Sequence, residues 1–203
     1  MVSPRRHALA HMWVLLCLLS RSGLGQPSSQ RRRSVAVRLG GSMQLGAVSE
    51  GQRAALQGIT LLAERVNQTE LFRLPSGEHL QLSLRIEDDM GEAVKVLDIY
   101  SAMASRREVD FFLGPYSPNL ATAAAAVSNA SGILTMMTGP VLSSTFQQGF
   151  TSLFAIPVLA RDVMAEALVV ARAKGARSVV AVWDASSVFQ SEVCMGALWH
   201  AKS

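Results

Sequence analysis

Cysteine is almost missing from this chain. Of Cys17 and Cys194, the first lies in an apolar N-terminal stretch, so the remainder holds one thiol and no internal disulfide framework. Histidine is equally scarce. Past that stretch only His79 and His200 remain, far apart in sequence and neither beside Cys194, which leaves a histidine-based triad or a His/Cys metal site without its residues. No apolar run approaches the ~20 residues that a membrane-spanning helix needs. A distributed excess of one charge is lacking too. The 19 lysines and arginines outnumber 15 acids, but Arg5, Arg6 and Arg21 fall in the N-terminal stretch and Arg31, Arg32 and Arg33 form one run. What is left is slightly acidic, and a nucleic-acid reader, which needs a basic face spread over its fold, is excluded.

The N-terminus is organised differently from the rest. Arg5, Arg6 and His7 make a basic start, Met12 through Leu19 an apolar core, and Gly23 and Gly25 put small residues before Gln26. That layout predicts a secretory signal peptide over residues 1–25, with an uncleaved signal anchor as the alternative. Residues 26–34 read as a flexible basic segment, or else a processing site. The expected location is therefore extracellular or in the secretory pathway, and at the membrane only through segments outside this sequence. In that setting Cys194 is either a free thiol or awaits a partner. Asn67-Gln68-Thr69 and Asn129-Ala130-Ser131 are glycosylation acceptors near predicted helix ends.

From residue 35 onward, short apolar strands alternate with helices, a pattern that predicts a parallel sheet covered on both faces. Strands are expected at 35–39, 80–86, 109–113, 133–137 and 153–156. A capping box at Ser49 and Gln52 starts the first helix, whose buried stripe is expected at Ala55, Ile59, Leu62 and Val66. The second helix is expected to bury Ala93, Leu97, Tyr100 and Ala104. Pro118 suits the first turn of the alanine-rich third helix and Gly132 its end. After Pro157 the pattern restarts with a helix from Val163, a strand at 179–183, a loop at 184–187 and a last helix over 188–201. One strand cannot form a sheet alone, so residues 158–203 read as an incomplete second domain.

Two sites invite a nucleotide-binding reading. Gly41 to Gly46 has phosphate-loop glycine spacing, but Ala47 and Val48 stand where a lysine and a hydroxyl would be needed. Asp88 and Asp89 end the second strand where a ribose-binding acid would sit, yet the loop lacks G-x-G-x-x-G and the acids lie too far from Gly46. A turn with helix-start charges is the simpler reading, since Gly91 and Glu92 follow at once. Ser117 precedes Pro118 at a helix start, where its hydroxyl is placed to cap and also to meet a ligand.

Several features then fall into a known order. They are Gly58 through Asn67, Glu87-Asp88-Asp89, Phe112 through Ser117, Ser131 through Leu134, and Phe154-Ala155-Ile156-Pro157 followed by Asp162 and Ala167. The chain in this respect resembles the type I periplasmic-binding-protein family, which includes branched-chain amino-acid binding proteins. Its relatives include the ligand-binding regions of natriuretic-peptide and metabotropic-glutamate-type receptors. The resemblance implies a two-lobed clamshell, with residues 35–157 as the first lobe and 158–203 as the start of the second. It also implies a non-enzymatic small-molecule-binding module, a fragment of a receptor ectodomain, with no cofactor and with homodimerisation through the first lobe. A secreted flavodoxin-like enzyme or nucleotide binder, and a non-functional truncated product, are the competing readings.

In amino-acid-binding members, hydroxyl residues near positions 118 and 141 hold the ligand's head group. Pro118 and Val141 stand there instead, and Ser117, Thr138 and Ser143 would substitute only with a shift of the loops. Topology independently places the ligand edge at the ends of the two central strands, at Tyr116, Ser117, Asn119, Thr138 and Gly139, with Leu45 near it from the first loop. The expected ligand is amino-acid-like or otherwise polar.

Overall fold

The computed structural model describes residues 33–46, 49–69 and 72–202. The predicted signal peptide and all but the last two residues of the basic segment lie outside the described residues.

Five strands form one wholly parallel sheet: β1 (Ser34–Met43), β2 (His79–Asp88), β3 (Phe111–Leu113), β4 (Thr135–Met137) and β5 (Leu153–Ala155). Their order is β2-β1-β3-β4-β5, the flavodoxin-like arrangement expected. Helices α1 (Glu50–Thr69), α2 (Ala93–Ser105) and α3 (Pro118–Ser131) make the first three crossovers. Right-handed connections put α1 on one face of the sheet and α2 and α3 on the other.

β1 runs four residues beyond the predicted strand, through Gly40 and Gly41. These glycines permit it. A Cβ at Gly40 would lie 2.7 Å from the Met103 sulfur, and one at Gly41 2.5 Å from the Leu113 carbonyl oxygen. A side chain at either place would push α2 or β3 away from the central strand.

The core lies between the sheet and the α2/α3 layer. Tyr100, Met103, Phe112, Met137 and Val141 are wholly buried there, and the rings of Tyr100 and Phe112 meet with centroids 4.8 Å apart. Ala121, Ala124 and Ala125 turn the small face of α3 inward, which lets that helix settle close to α2 and the strands. Gly132 closes α3 in the left-handed region at φ 72°, a conformation that costs glycine little.

Three sequence expectations are corrected. In α2 the buried residues are Val96, Ile99, Tyr100 and Met103. Ala93 and Leu97 face outward, because a helix apolar on most sides admits more than one phase and the sheet selected another. In α1, Leu62 is exposed while Ala63 and Val66 are buried. Finally, residues 179–183 form no strand. A ladder needs a neighbour, and this segment has none among the described residues, so Val180 and Val182 are both largely exposed. The helices on either side of it do form, as α5 (Ala165–Ala173) and α6 (Val188–His200), after the short α4 (Ser143–Phe146) and a 3-10 turn at Ala160–Asp162.

Candidate functional site

Because every strand runs the same way, the loops that follow them collect along one edge. Between β1 and β3 the order of the sheet reverses direction, and a crevice opens at such a point. The loop after β1 and the loop after β3 are its walls.

The first wall is held by its own turn chemistry. Ser49 and Gln52 cap α1 reciprocally, the Ser49 N–H donating to Gln52 Oε1 at 3.0 Å and the Gln52 N–H to Ser49 Oγ at 3.3 Å. Asp88 Oδ1 accepts the N–H groups of Leu45 at 3.0 Å and Met90 at 2.9 Å. The two bonds, that from Leu45 foremost, hold its carboxyl below the usual range. Asp89 is buried and accepts from Ser42 Oγ at 2.8 Å and from the Gly91 N–H at 2.9 Å. Both acids form the expected turn after β2 and also tie it to the end of β1. They are not helix-start charges, since α2 carries no acid in its first turn. Beneath them the Tyr100 hydroxyl donates to the Leu113 carbonyl and accepts the Ser42 N–H. Burial drives its pKa far up, so this phenol stays neutral.

The second wall brings predicted residues together. Tyr116 is half-buried, and a Cβ at Gly51 would strike its hydroxyl. The phenol thus lies on the first turn of α1 and spans the crevice. Its backbone is packed against the next loop, since a Cβ at Gly139 would collide with the Tyr116 carbonyl oxygen. Gly139 is buried, and its part is this close approach of two loops. Thr138 Oγ1 donates to the Gly114 carbonyl at 3.2 Å, a second tie between the same loops. Asn119 is exposed on the first turn of α3, and Leu45 is 39% exposed at the crevice lip.

Ser117 departs from expectation. It occupies the N-cap position of α3 with extended backbone, but its side chain makes no capping bond. Pro118 removes the first N–H, and the Leu120 N–H goes to the Ser117 carbonyl at 3.1 Å instead. The hydroxyl is left at the edge, unused by the helix.

Sequence reasoning missed Glu192. From α6 its Oε1 accepts both the Ser143 N–H at 2.8 Å and the Ser143 hydroxyl at 2.6 Å. Ser143, weighed above as a ligand hydroxyl, is thereby engaged within the chain. Val141 is wholly buried, so its position offers no side chain to the edge. No local signal marks the pair, which is separated by 49 positions. A groove of about 710 Å³ lies between α5 and the end of α6, lined by Leu168, Arg172, Val179 and His200 among others. None of the predicted site residues borders it. Among the described residues no cluster of His, Cys, Asp and Glu has the makings of a metal site.

No family model matches the chain, and no curated protein matches it. Solved structures do. An ABC transporter substrate-binding protein from Desulfitobacterium hafniense superposes with a TM-score of 0.69 at 14% identity, over 83% of this chain and 47% of its own. The leucine-binding protein LivK of Thermotoga maritima gives 0.64 at 15% identity, over 82% and 45%. A solute-binding protein of R. palustris, solved with 4-hydroxybenzoate, gives 0.54 at 14% identity, over 80% and 44%. The fold is that of the type I periplasmic binding proteins, and the chain spans about half the length of the structures it matches.

Proposed function

We propose that this chain, with a fold shared by transporter substrate-binding proteins, is a non-catalytic module that binds a small polar molecule at the edge of its first lobe. Residues 35–157 form that lobe, and residues 158–203 begin a second. Tyr116, Ser117, Asn119, Thr138 and Gly139 make the binding edge. The observation that carries this reading is the meeting of the loops after β3 and β4 beside a hydroxyl, that of Ser117, which the adjoining helix does not use. Thr138 through its hydroxyl and Gly139 through its backbone shape the edge, while Tyr116 and Ser117 present polar atoms to it. The neighbours solved with leucine and with 4-hydroxybenzoate support a carboxylate-bearing ligand class.

The wider assignment is a receptor ectodomain fragment exported by a signal peptide over residues 1–25. Leu61 and Leu62, both exposed on α1, support the first lobe as a homodimer surface. N-terminal sequencing of secreted protein is expected to begin at Gln26, and sedimentation to show a concentration-dependent dimer.

Thermal-shift titration tests the binding claim. The crevice belongs to one lobe of the proposed clamshell, without an opposing lobe to close on the ligand among the described residues, so weak binding is expected. Stabilisation by amino acids or aromatic carboxylates, lost in Ser117→Ala, supports the reading. Stabilisation by nucleotides alone would replace it with the flavodoxin-like alternative.

A further inference from the structure

We infer that, of the two glycosylation acceptors, Asn129 is the one that carries an N-linked glycan in the folded chain, and that Asn67 is withheld by its part in the sheet edge. This rests on the proposed entry into the secretory pathway.

The chemistry of the linkage decides between them. The asparagine Nδ2 displaces a lipid diphosphate from C1 of the donor oligosaccharide, a nitrogen–carbon bond forms, and one Nδ2 proton is lost. The product is a planar secondary amide that prefers the trans arrangement. The sugar therefore sits on the same side as Oδ1, and the remaining hydrogen points back toward Cβ.

Asn67 needs the hydrogen that the sugar would replace. It lies near the end of α1, and its side chain reaches the outer edge of β2. There Nδ2 donates to the Leu82 carbonyl at 2.8 Å while Oδ1 accepts the Leu82 N–H at 2.7 Å. An amide that engages the N–H and the C=O of one residue must use the hydrogen beside its own oxygen. A glycan at that place would leave the Leu82 carbonyl without its partner and put bulk against the strand. The neighbouring stretch of edge is already covered, since the Leu80 N–H donates to the Phe72 carbonyl at 3.1 Å. β2 is the outermost strand, and unpaired edge groups are what such strands must hide.

Asn129 has the opposite environment. It is exposed on the last turn of α3, and only its oxygen is engaged, accepting the Thr151 N–H at 3.3 Å and hydroxyl at 3.4 Å. Its Nδ2 has no hydrogen bond among the described residues. Both contacts use an oxygen that glycosylation leaves in place. Sugar transfer precedes folding, so a chain modified at Asn67 would have to fold without its edge bridge, and the secreted pool is expected to be depleted of it.

The test is glycopeptide mapping of the full 203-residue chain secreted from cultured mammalian cells. Two variants remove one acceptor each while keeping its asparagine, Thr69→Ala and Ser131→Ala. A parallel arm places the whole chain behind a heterologous signal peptide. The expected result is a single-glycan gel step, reversed by glycosidase, unchanged in Thr69→Ala and absent in Ser131→Ala. A glycan found on Asn67 in secreted, folded protein would overturn the inference. So would an unmodified Asn129 in the heterologous arm. Modification of Asn129 only in the heterologous arm would leave the site assignment standing and refute the secretory reading.

Discussion

Glu192 and Ser143 join the last helix to the loop after β4 through a single carboxylate oxygen that takes two hydrogen bonds. Both donors come from one residue at the start of α4, so the contact fixes position as well as distance. Through it the carboxylate of α6 meets a loop of the candidate site. Charge-assisted bonds of this kind contribute about 1.5–3 kcal/mol. Glu192→Ala is expected to lose about that much in urea denaturation, and Glu192→Gln, which keeps an acceptor oxygen, less. Equal losses in the two variants would mean that the bonds carry little of the effect.

Ser117→Ala is expected to leave stability within about 0.5 kcal/mol of the parent, because its hydroxyl caps nothing. A capping serine would cost about 1 kcal/mol. Denaturation midpoints decide between the two.

Gly139→Ala should destabilise by about 1–3 kcal/mol, the usual range for forcing atoms into packed space. The added methyl meets a backbone carbonyl, which cannot rotate away as a side-chain tip can. A variant as stable as the parent would show that the loops after β3 and β4 are not held against each other.

Acid should weaken the fold through its depressed carboxylates. Asp110 is paired with Arg38 by bonds of 2.7 and 3.1 Å and accepts the Arg38 N–H at 2.8 Å. The Arg38 side chain first, and its N–H second, hold the Asp110 carboxyl below its ordinary value. A depressed pKa gives stability that is present above the unfolded value of about 3.9 and is lost as pH falls through the folded one. Asp110→Asn is therefore expected to flatten the fall of the thermal midpoint below about pH 4 and to leave its slope near neutrality unchanged.

Much of the fold was legible because its signals are local. The Ser49/Gln52 box, Pro118 and Gly132 each act within one turn of chain, and all three stand where expected. The strand ends of the candidate site followed from alternation and from the rule for parallel sheets, and Tyr116, Thr138 and Gly139 do meet there. What escaped was tertiary. Which phase of α2 is buried depended on the sheet beneath it. The Glu192 contact needed two distant segments to meet. The unused Ser117 hydroxyl reflects the path of the backbone through Pro118, where a carbonyl took the N–H that the side chain was expected to bind.

The segment at 179–183 carries a consequence for anyone handling this chain. Apolar, β-branched and without a ladder, it has the composition that recruits other chains into stacked strands. Val169, Val170 and Trp199 add further uncovered apolar surface on α5 and α6. Exposed apolar surface of this kind favours self-association, so solubility is expected to limit the protein concentration an assay can use. Light scattering against protein concentration checks this, and ligand screens belong at the low end of that range.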